Sequence, residues 1–251
     1  MHTYRTEATY AACCSCFVVV LVLTNIIGVK LFLVPADGWF WWIPGEGDVT
    51  LTSGIITYPL TFLLTDIVAE MWGRRRASFM VILGFAMSLL MLLVVNMTKH
   101  LPWSHLWANP DLGLDSQQLQ DAFVATFFYP SLLLFASMLA YLVAQLFDVR
   151  LYHFWWRLTG GGHMWLRNNG STCVSQLVDT IIVNGIFLRW GLEMEWSTVW
   201  EIILTVYVCK VALALSDTPL IYLARWGLRK FFGLPPGRAG EHAPLAPPGS
   251  I

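Results

Sequence analysis

The chain has 251 residues, of which 57% are hydrophobic and only 12% charged, against about 25% charged in soluble domains. Its mean hydropathy is +0.60 and its formal net charge is -1. An ordinary soluble core is excluded, and no basic excess suggests a nucleic-acid partner.

Six apolar runs are long enough to span a bilayer, which takes about 20 residues of helix. They fall near 10–34, 51–72, 78–98, 122–147, 171–190 and 198–223. Backbone groups in lipid must be satisfied within the segment, so helix is the expected state. Barrel strands would be shorter and would alternate, and these runs do neither. The expected fold is all-α, an integral membrane domain of six transmembrane helices over 1–232. A Pro/Gly-rich tail, 233–251, has no apolar period and is expected to be disordered.

The first run follows Arg5 and is too long for a signal peptide, with no small-residue cleavage pattern after it. It reads as a retained first helix. Cys13, Cys14, Cys16, Cys173 and Cys209 all lie inside the runs without metal-ligand spacing. The six histidines form no metal motif. No metal or cofactor is expected.

Span two carries the most informative residues. Asp66 and Glu70 sit one helical turn apart in Thr57-Tyr58-Pro59 through Trp72-Gly73, ahead of Arg74, Arg75 and Arg76. A carboxylate in hydrocarbon costs roughly 2.5–3.5 kcal/mol on insertion scales, and such residues usually line a polar site within a bundle. Thr57, Thr61 and Thr65 add hydroxyls at i, i+4 spacing. Span five holds Gln176 and Asp179 on one face, being i and i+3. At 1.5 Å per residue, Asp66 lies about 12 Å beyond Arg74, Gln176 about 14 Å beyond Arg167 and Asp179 about 18 Å beyond it. They therefore reach similar depths from two oppositely directed helices.

Span six holds Lys210, whose buried ammonium needs a carboxylate; Asp66, Asp179 and Asp217 are the candidates. Asn25 lies in span one. Glu70 is near enough to the interface to snorkel or to pair with the arginines.

Basic residues set orientation. One set of ends carries Arg5, Arg74, Arg75, Arg76, Arg150, Arg157, Arg167, Arg225, Arg229, Lys230 and Arg238; the other carries only Lys30, Lys99 and Arg189. The first set, and with it both termini, is expected to be cytoplasmic. Asp37, Glu46, Asp48, Asp111, Asp115, Glu193 and Glu195 then face the other side. Six spans divide into three and three of opposite orientation, the layout of an inverted repeat. Thr65-Asp66 with Glu70 in span two then corresponds to Ser175-Gln176 with Asp179-Thr180 in span five.

Two segments together resemble a known family. Thr65-Asp66-Ile67-Val68-Ala69-Glu70-Met71-Trp72-Gly73-Arg74-Arg75-Arg76-Ala77 looks like the signature of the queuosine precursor transporters, also called the vitamin-uptake-like transporters. Thr159-Gly160-Gly161, Trp165-Leu166-Arg167-Asn168-Asn169, Ser171-Thr172 and Ser175-Gln176-Leu177-Val178-Asp179-Thr180 are similar to a second family block. Asn25 through Lys30 and Lys210 through Pro219 also fit, so the resemblance runs from about residue 10 to 230.

The resemblance implies a fold similar to the substrate-binding components of vitamin importers. It implies a bacterial inner-membrane protein, not an enzyme, that takes up the 7-deazaguanines preQ0 and preQ1. A carboxylate can accept a ring N–H and an exocyclic amine together, and a glutamine can both donate and accept. The expected substrate-binding residues are Asp66, Glu70, Gln176 and Asp179, with Asn25 and Lys210 behind them. An alternative is the substrate-binding subunit of an ATP-driven importer; Gly160-Gly161-Gly162-His163 lacks the Lys-Ser/Thr of a phosphate loop, so any ATPase would be another chain. An intramembrane aspartyl protease would need a Gly-x-Gly-Asp setting, which neither Asp66 nor Asp179 has.

Overall fold

The computed structural model describes residues 2–28, 30–34, 49–109, 111, 113–128, 131–160, 162–191, 193–216, 218–234 and 245. Asp37, Glu46, Asp48, Gly161, Asp217 and most of the expected tail lie outside the described residues.

The described chain is helical apart from one short ribbon. Helix α1 runs His2–Ile27. Strands β1, Leu31–Val34, and β2, Val49–Thr52, pair antiparallel with Leu31 opposite Thr52. A 3-10 turn, Ser53–Ile56, leads into α2, Tyr58–Trp72, which has Pro59 in its first turn. Helix α3 spans Arg74–Lys99, α4 Ser116–Phe128, and α5 Ser131–Leu158. Helix α6 covers Met164–Asn184 and continues as a π-helical stretch, Gly185–Gly191. Helices α7, Trp196–Ser216, and α8, Thr218–Phe231, complete the described fold.

Among the described residues, five stretches are long and apolar enough to cross a membrane: Tyr4–Ile27, Ser53–Trp72, Arg74–Lys99, Met164–Gly191 and Trp196–Phe231. Span boundaries differ from the sequence reading in several places: the fifth begins at Met164, and the sixth is divided between α7 and α8. The first span ends at Ile27, because residues 31–34 leave the helix to pair with β2. The expected fourth span, 122–147, is distributed over α4 and the 28-residue α5, which runs on to Leu158.

The turn between α2 and α3 is a single residue. Gly73 adopts φ 87°, a left-handed conformation that costs glycine least, and its N–H donates to Ala69 O. Its own carbonyl accepts from Ala77 N, the first hydrogen bond of α3.

Apolar side chains are divided between core and periphery. Phe17 and Leu21 of α1, Val68, Met71 and Trp72 of α2, Met80 and Val81 of α3, and Tyr152 of α5 form the main buried cluster. Leu245 joins it, donating its N–H to Met71 O at 2.9 Å. Outward-facing residues of α3 are also apolar: Leu89, Leu90, Leu93, Val94 and Met97 are exposed. Meanwhile Asp66, Glu70, Gln145, Asp148, Arg167, Gln176 and Asp179 are buried. Apolar outside and charged inside is the distribution a bilayer solvent selects. Close helix approach relies on small residues. A Cβ on Gly84 of α3 would lie 2.5 Å from Phe17 Cε1, and one on Gly170 of α6 would lie 3.1 Å from Trp155 Nε1 of α5.

Candidate functional site

Helix α6 presents a polar stripe to the interior. Arg167, Asn168, Ser171, Thr172, Ser175, Gln176, Asp179 and Thr180 are all buried. The spacing repeats every three or four residues, so these side chains stack along one face. Helix α2 opposes them with Thr61, Thr65, Asp66 and Glu70, and α5 with Tyr141, Gln145, Asp148 and Tyr152. The polar groups then separate into layers.

At one end, Glu70 is held by three partners. Tyr152 Oη donates to its Oε2 at 2.8 Å, Arg167 Nη2 lies 3.2 Å from Oε2, and Arg225 Nε of α8 lies 3.2 Å from Oε1. Arg167 is 0% and Glu70 2% exposed at the side chain, so the pair is fully withdrawn from solvent. Two guanidinium groups against one carboxylate offset the desolvation that makes isolated buried charge so costly.

In the next layer Asp66 adjoins Asp148. Ser175 Oγ donates to Asp148 Oδ1 at 3.0 Å, and Ser171 and Thr172 adjoin the same carboxyl. Beside it, Gln145 ties α5 to α2: it accepts from Thr65 Oγ1 at 3.1 Å and donates to Thr61 Oγ1 at 3.4 Å.

The third layer joins α6 to α7. Lys210 Nζ lies 2.6 Å from Asp179 Oδ2 and 4.9 Å from the centre of the Tyr58 ring. The Tyr58 hydroxyl approaches Asp179 but has no hydrogen-bond geometry with it. A small cleft opens here, bordered by Tyr58, Pro59, Phe62, Gln176, Lys210 and Leu213. Gln176 Oε1 is buried and has no hydrogen-bond donor among the described residues. The cleft thus combines an aromatic wall, an uncommitted amide oxygen and an ammonium already balanced by a carboxylate.

Of the six residues chosen from sequence, Gln176 and Lys210 line this cleft, and Asp179 is joined to it through Lys210. The partner of Lys210 is Asp179, and Asp66 lies with Asp148 instead. Glu70 is engaged by the arginine layer. Asn25 lies elsewhere: its Nδ2 donates to Ser88 Oγ at 3.1 Å, in a separate cleft lined by Leu21, Phe85, Met138 and Tyr141.

Sequence reasoning overlooks Asp148, Gln145, Tyr152 and Tyr58. It also treats Arg167 and Arg225 only as markers of the cytoplasmic face, whereas both reach Glu70. The signal for Arg167 is present, since it heads the same four-residue rhythm as Ser171, Ser175 and Asp179.

Several apolar helices enclosing a core of buried carboxylates and cations define a multi-pass membrane protein. Comparison with known proteins gives the family. Residues 52–224 match the family described as "Putative vitamin uptake transporter", and the chain belongs to it. The chain is also 32% identical over 179 residues to the "Probable queuosine precursor transporter" of Bacillus subtilis (strain 168), a match covering 70% of this chain and 72% of that one. No solved structure matches it significantly. Family membership makes the protein a transporter and not an enzyme. The matched region contains all the layered residues up to Lys210, while Arg225 lies one residue beyond it.

Proposed function

We propose that this protein imports the 7-deazaguanine precursors of queuosine, preQ0 and preQ1, across the bacterial inner membrane. In this reading six spans cross the bilayer as a 3+3 inverted repeat, with both termini in the cytoplasm. The observation that carries the reading is the cleft where Gln176 Oε1 lacks a donor, among the described residues, beside the Asp179–Lys210 pair.

A flat deazaguanine fits that chemistry. Tyr58 and Phe62 supply faces for its rings. The Gln176 amide can accept from the exocyclic amine while donating to the ring carbonyl, and the Asp179 carboxylate can take the adjacent ring N–H. Lys210 has two further hydrogens beyond the one directed at Asp179 and can offer one to the base. Asp66 stands one layer away, beside Asp148. Glu70 keeps α2, α6 and α8 in register, and Asn25 joins α1 to α3 away from the base.

The deciding experiment is a binding titration of the purified protein with preQ0, preQ1, guanine and riboflavin. Saturable binding of the two deazaguanines, lost in Gln176→Ala, is expected. Preference for riboflavin, or no binding of either deazaguanine, would overturn the reading. A second reading, a substrate-capturing subunit of an ATP-driven importer, is favoured by the family's vitamin-uptake description. Uptake by the purified chain alone in liposomes separates the two.

A further inference from the structure

Helix α8 packs on α2, α6 and α7 and covers the groove between α2 and α6. It is a separate helix from α7, which ends at Ser216. Pro219 stands in the first turn of α8 and has no N–H to continue the α7 ladder. Thr218 Oγ1 instead donates to Asn169 Oδ1 of α6 at 2.9 Å. One face of α8 then turns inward. Ile221 is buried with Ile67 of α2 and Met164 of α6, and Leu63, Ala224 and Leu228 pack against them. The outer face is apolar and exposed at Leu220, Leu223 and Trp226. A helix with such a face lies in the membrane interface and keeps its lipid contacts when it shifts.

The covered groove leads to the cleft. On α2, Pro59 lines the cleft, and Leu63, Ile67 and Glu70 follow it at helical spacing beneath α8. Glu70 lies about 12–18 Å along α2 from Phe62 and Tyr58 of the cleft. On α7, Leu213 and Ala214 border the cleft shortly before the start of α8. A base that leaves the cleft toward the Glu70 layer therefore meets the inner face of α8.

The contacts of that layer are unequal. Tyr152 of α5 and Arg167 of α6 both reach Glu70 Oε2. Arg225 comes from α8, with Nε 3.2 Å from Oε1 and Nη1 3.3 Å from Met164 Sδ. Its side chain is 19% exposed, against 0% for Arg167. When α8 moves away, Glu70 keeps Arg167 and Tyr152, and Arg225 gains water. The cost that makes broken buried pairs expensive, a carboxylate left without a cation, does not arise.

We propose that α8 is the cytoplasmic gate of the transport path, latched by Arg225 on Glu70. The base leaves the cleft along α2 when α8 swings off Ile67 and Met164. The inference rests on the import reading above and on its orientation, which puts the end of α8 with Arg229 and Lys230 at the cytoplasmic face. The latch is closed in this structure, so the cleft is separated from the cytoplasm.

Two measurements test this, both in a background lacking the native cysteines. The first needs no substrate. Ile67→Cys lies under α8, whereas Met80→Cys is buried in α3 at a similar distance, about 10 Å, from the Gly73 corner. An impermeant thiol reagent is applied to the cytoplasmic side of inside-out vesicles. Adding Arg225→Met is expected to speed labelling of Ile67→Cys roughly tenfold, the effect of losing one charge-assisted hydrogen bond. Labelling of Met80→Cys should not change. An unchanged rate at Ile67→Cys overturns the latch. So does an equal rise at both positions, which is general loosening.

The second measurement fixes the gate with a short bis-thiol bridge between Ile67→Cys and Ile221→Cys. The bridged protein is expected to bind preQ0 as the unbridged form does. In proteoliposomes it should lose exchange of internal for external preQ0, and cleaving the bridge should restore it. Exchange by the bridged protein at the unbridged rate overturns the gate. Loss of binding on bridging also overturns it, because α8 would then cover the entrance to the cleft. Absence of preQ0 binding and exchange in wild type overturns the import reading, while faster labelling with Arg225→Met still supports a latched α8.

Discussion

Lys210 Nζ lies 2.6 Å from Asp179 Oδ2, joining α7 to α6 across the wall of the cleft. Breaking such a pair from one side leaves an uncompensated charge, which costs about 3–5 kcal/mol in buried settings. Lys210→Met is therefore expected to lower the amount of folded protein in the membrane. The double change Lys210→Met plus Asp179→Asn should restore that amount, because no net charge is left behind. If both residues also hold the base, the double variant will reach the membrane yet take up no preQ0. Detergent-extracted yield and uptake per folded molecule, measured together, separate the two effects. Normal yield and uptake in Lys210→Met would contradict both roles.

Glu70 is expected to matter for stability more than for binding. Its oxygens are engaged by Tyr152, Arg167 and Arg225. Glu70→Gln leaves two guanidinium groups facing a neutral amide, and should destabilise the fold by about 3 kcal/mol or more. Arg225→Met should cost less, since Arg167 still pairs with Glu70 and Arg225 is partly exposed. Thermal unfolding in detergent orders the variants. The preQ0 dissociation constant of whatever fraction folds should stay close to wild type. A large loss of affinity in folded Arg225→Met would place this layer in the binding site after all.

These assignments mark where the sequence is readable. Lys210 demands a carboxylate on energetic grounds, and depth arithmetic leaves Asp179 among its candidates; only the packing of α6 on α7 decides for it over Asp66. Asp148 escapes a reading of the sequence for a specific reason. The apolar run of the fourth span ends at Phe147, so the next residue looks like the start of a loop, whereas α5 continues to Leu158. Once helical, Asp148 points inward in the rhythm of Tyr141, Gln145 and Tyr152. Arg167 is misweighted by the same logic, because a basic residue at the head of a span usually marks the membrane face. Hydropathy locates the bilayer well and resolves poorly the polar residues within a turn of its edge. The ribbon of β1 with β2 is equally hidden, since the apolar residues of β1 extend the first span past Lys30.

Gly84 is expected to be intolerant of substitution although it lies in a featureless apolar helix. A Cβ there would sit 2.5 Å from Phe17 Cε1 and 2.9 Å from Leu21 Cδ2. The Phe17 ring is fully buried and has little room to turn. Gly84→Ala should cost about 1–3 kcal/mol, the usual range for over-packing, and Gly84→Val more. Phe17→Leu combined with Gly84→Ala should recover part of the loss by making room. Additive destabilisation in the double variant would show that α1 and α3 do not meet at this point.

The orientation of the whole protein follows from the basic residues and can be tested independently of transport. Arg5, Arg74, Arg75 and Arg76 cluster with Arg225, Arg229 and Lys230 at one set of helix ends, and Lys30 and Lys99 stand nearly alone at the other. Some of that bias serves the interior, since Arg167 and Arg225 are committed to Glu70. Arg76 likewise pairs with Glu7, at 2.7 Å. The remaining excess still favours a cytoplasmic location for both termini. A reporter fused after Arg229 that is active only in the cytoplasm, with a periplasmic reporter silent at the same site, is the expected result. Single-cysteine variants at Arg74 and Lys99, in a background lacking the native cysteines, should then be labelled by an impermeant reagent from the cytoplasmic and outer faces respectively. Labelling of both from one face would mean that α3 does not cross the membrane, and the opposite orientation of the two halves would fall with it.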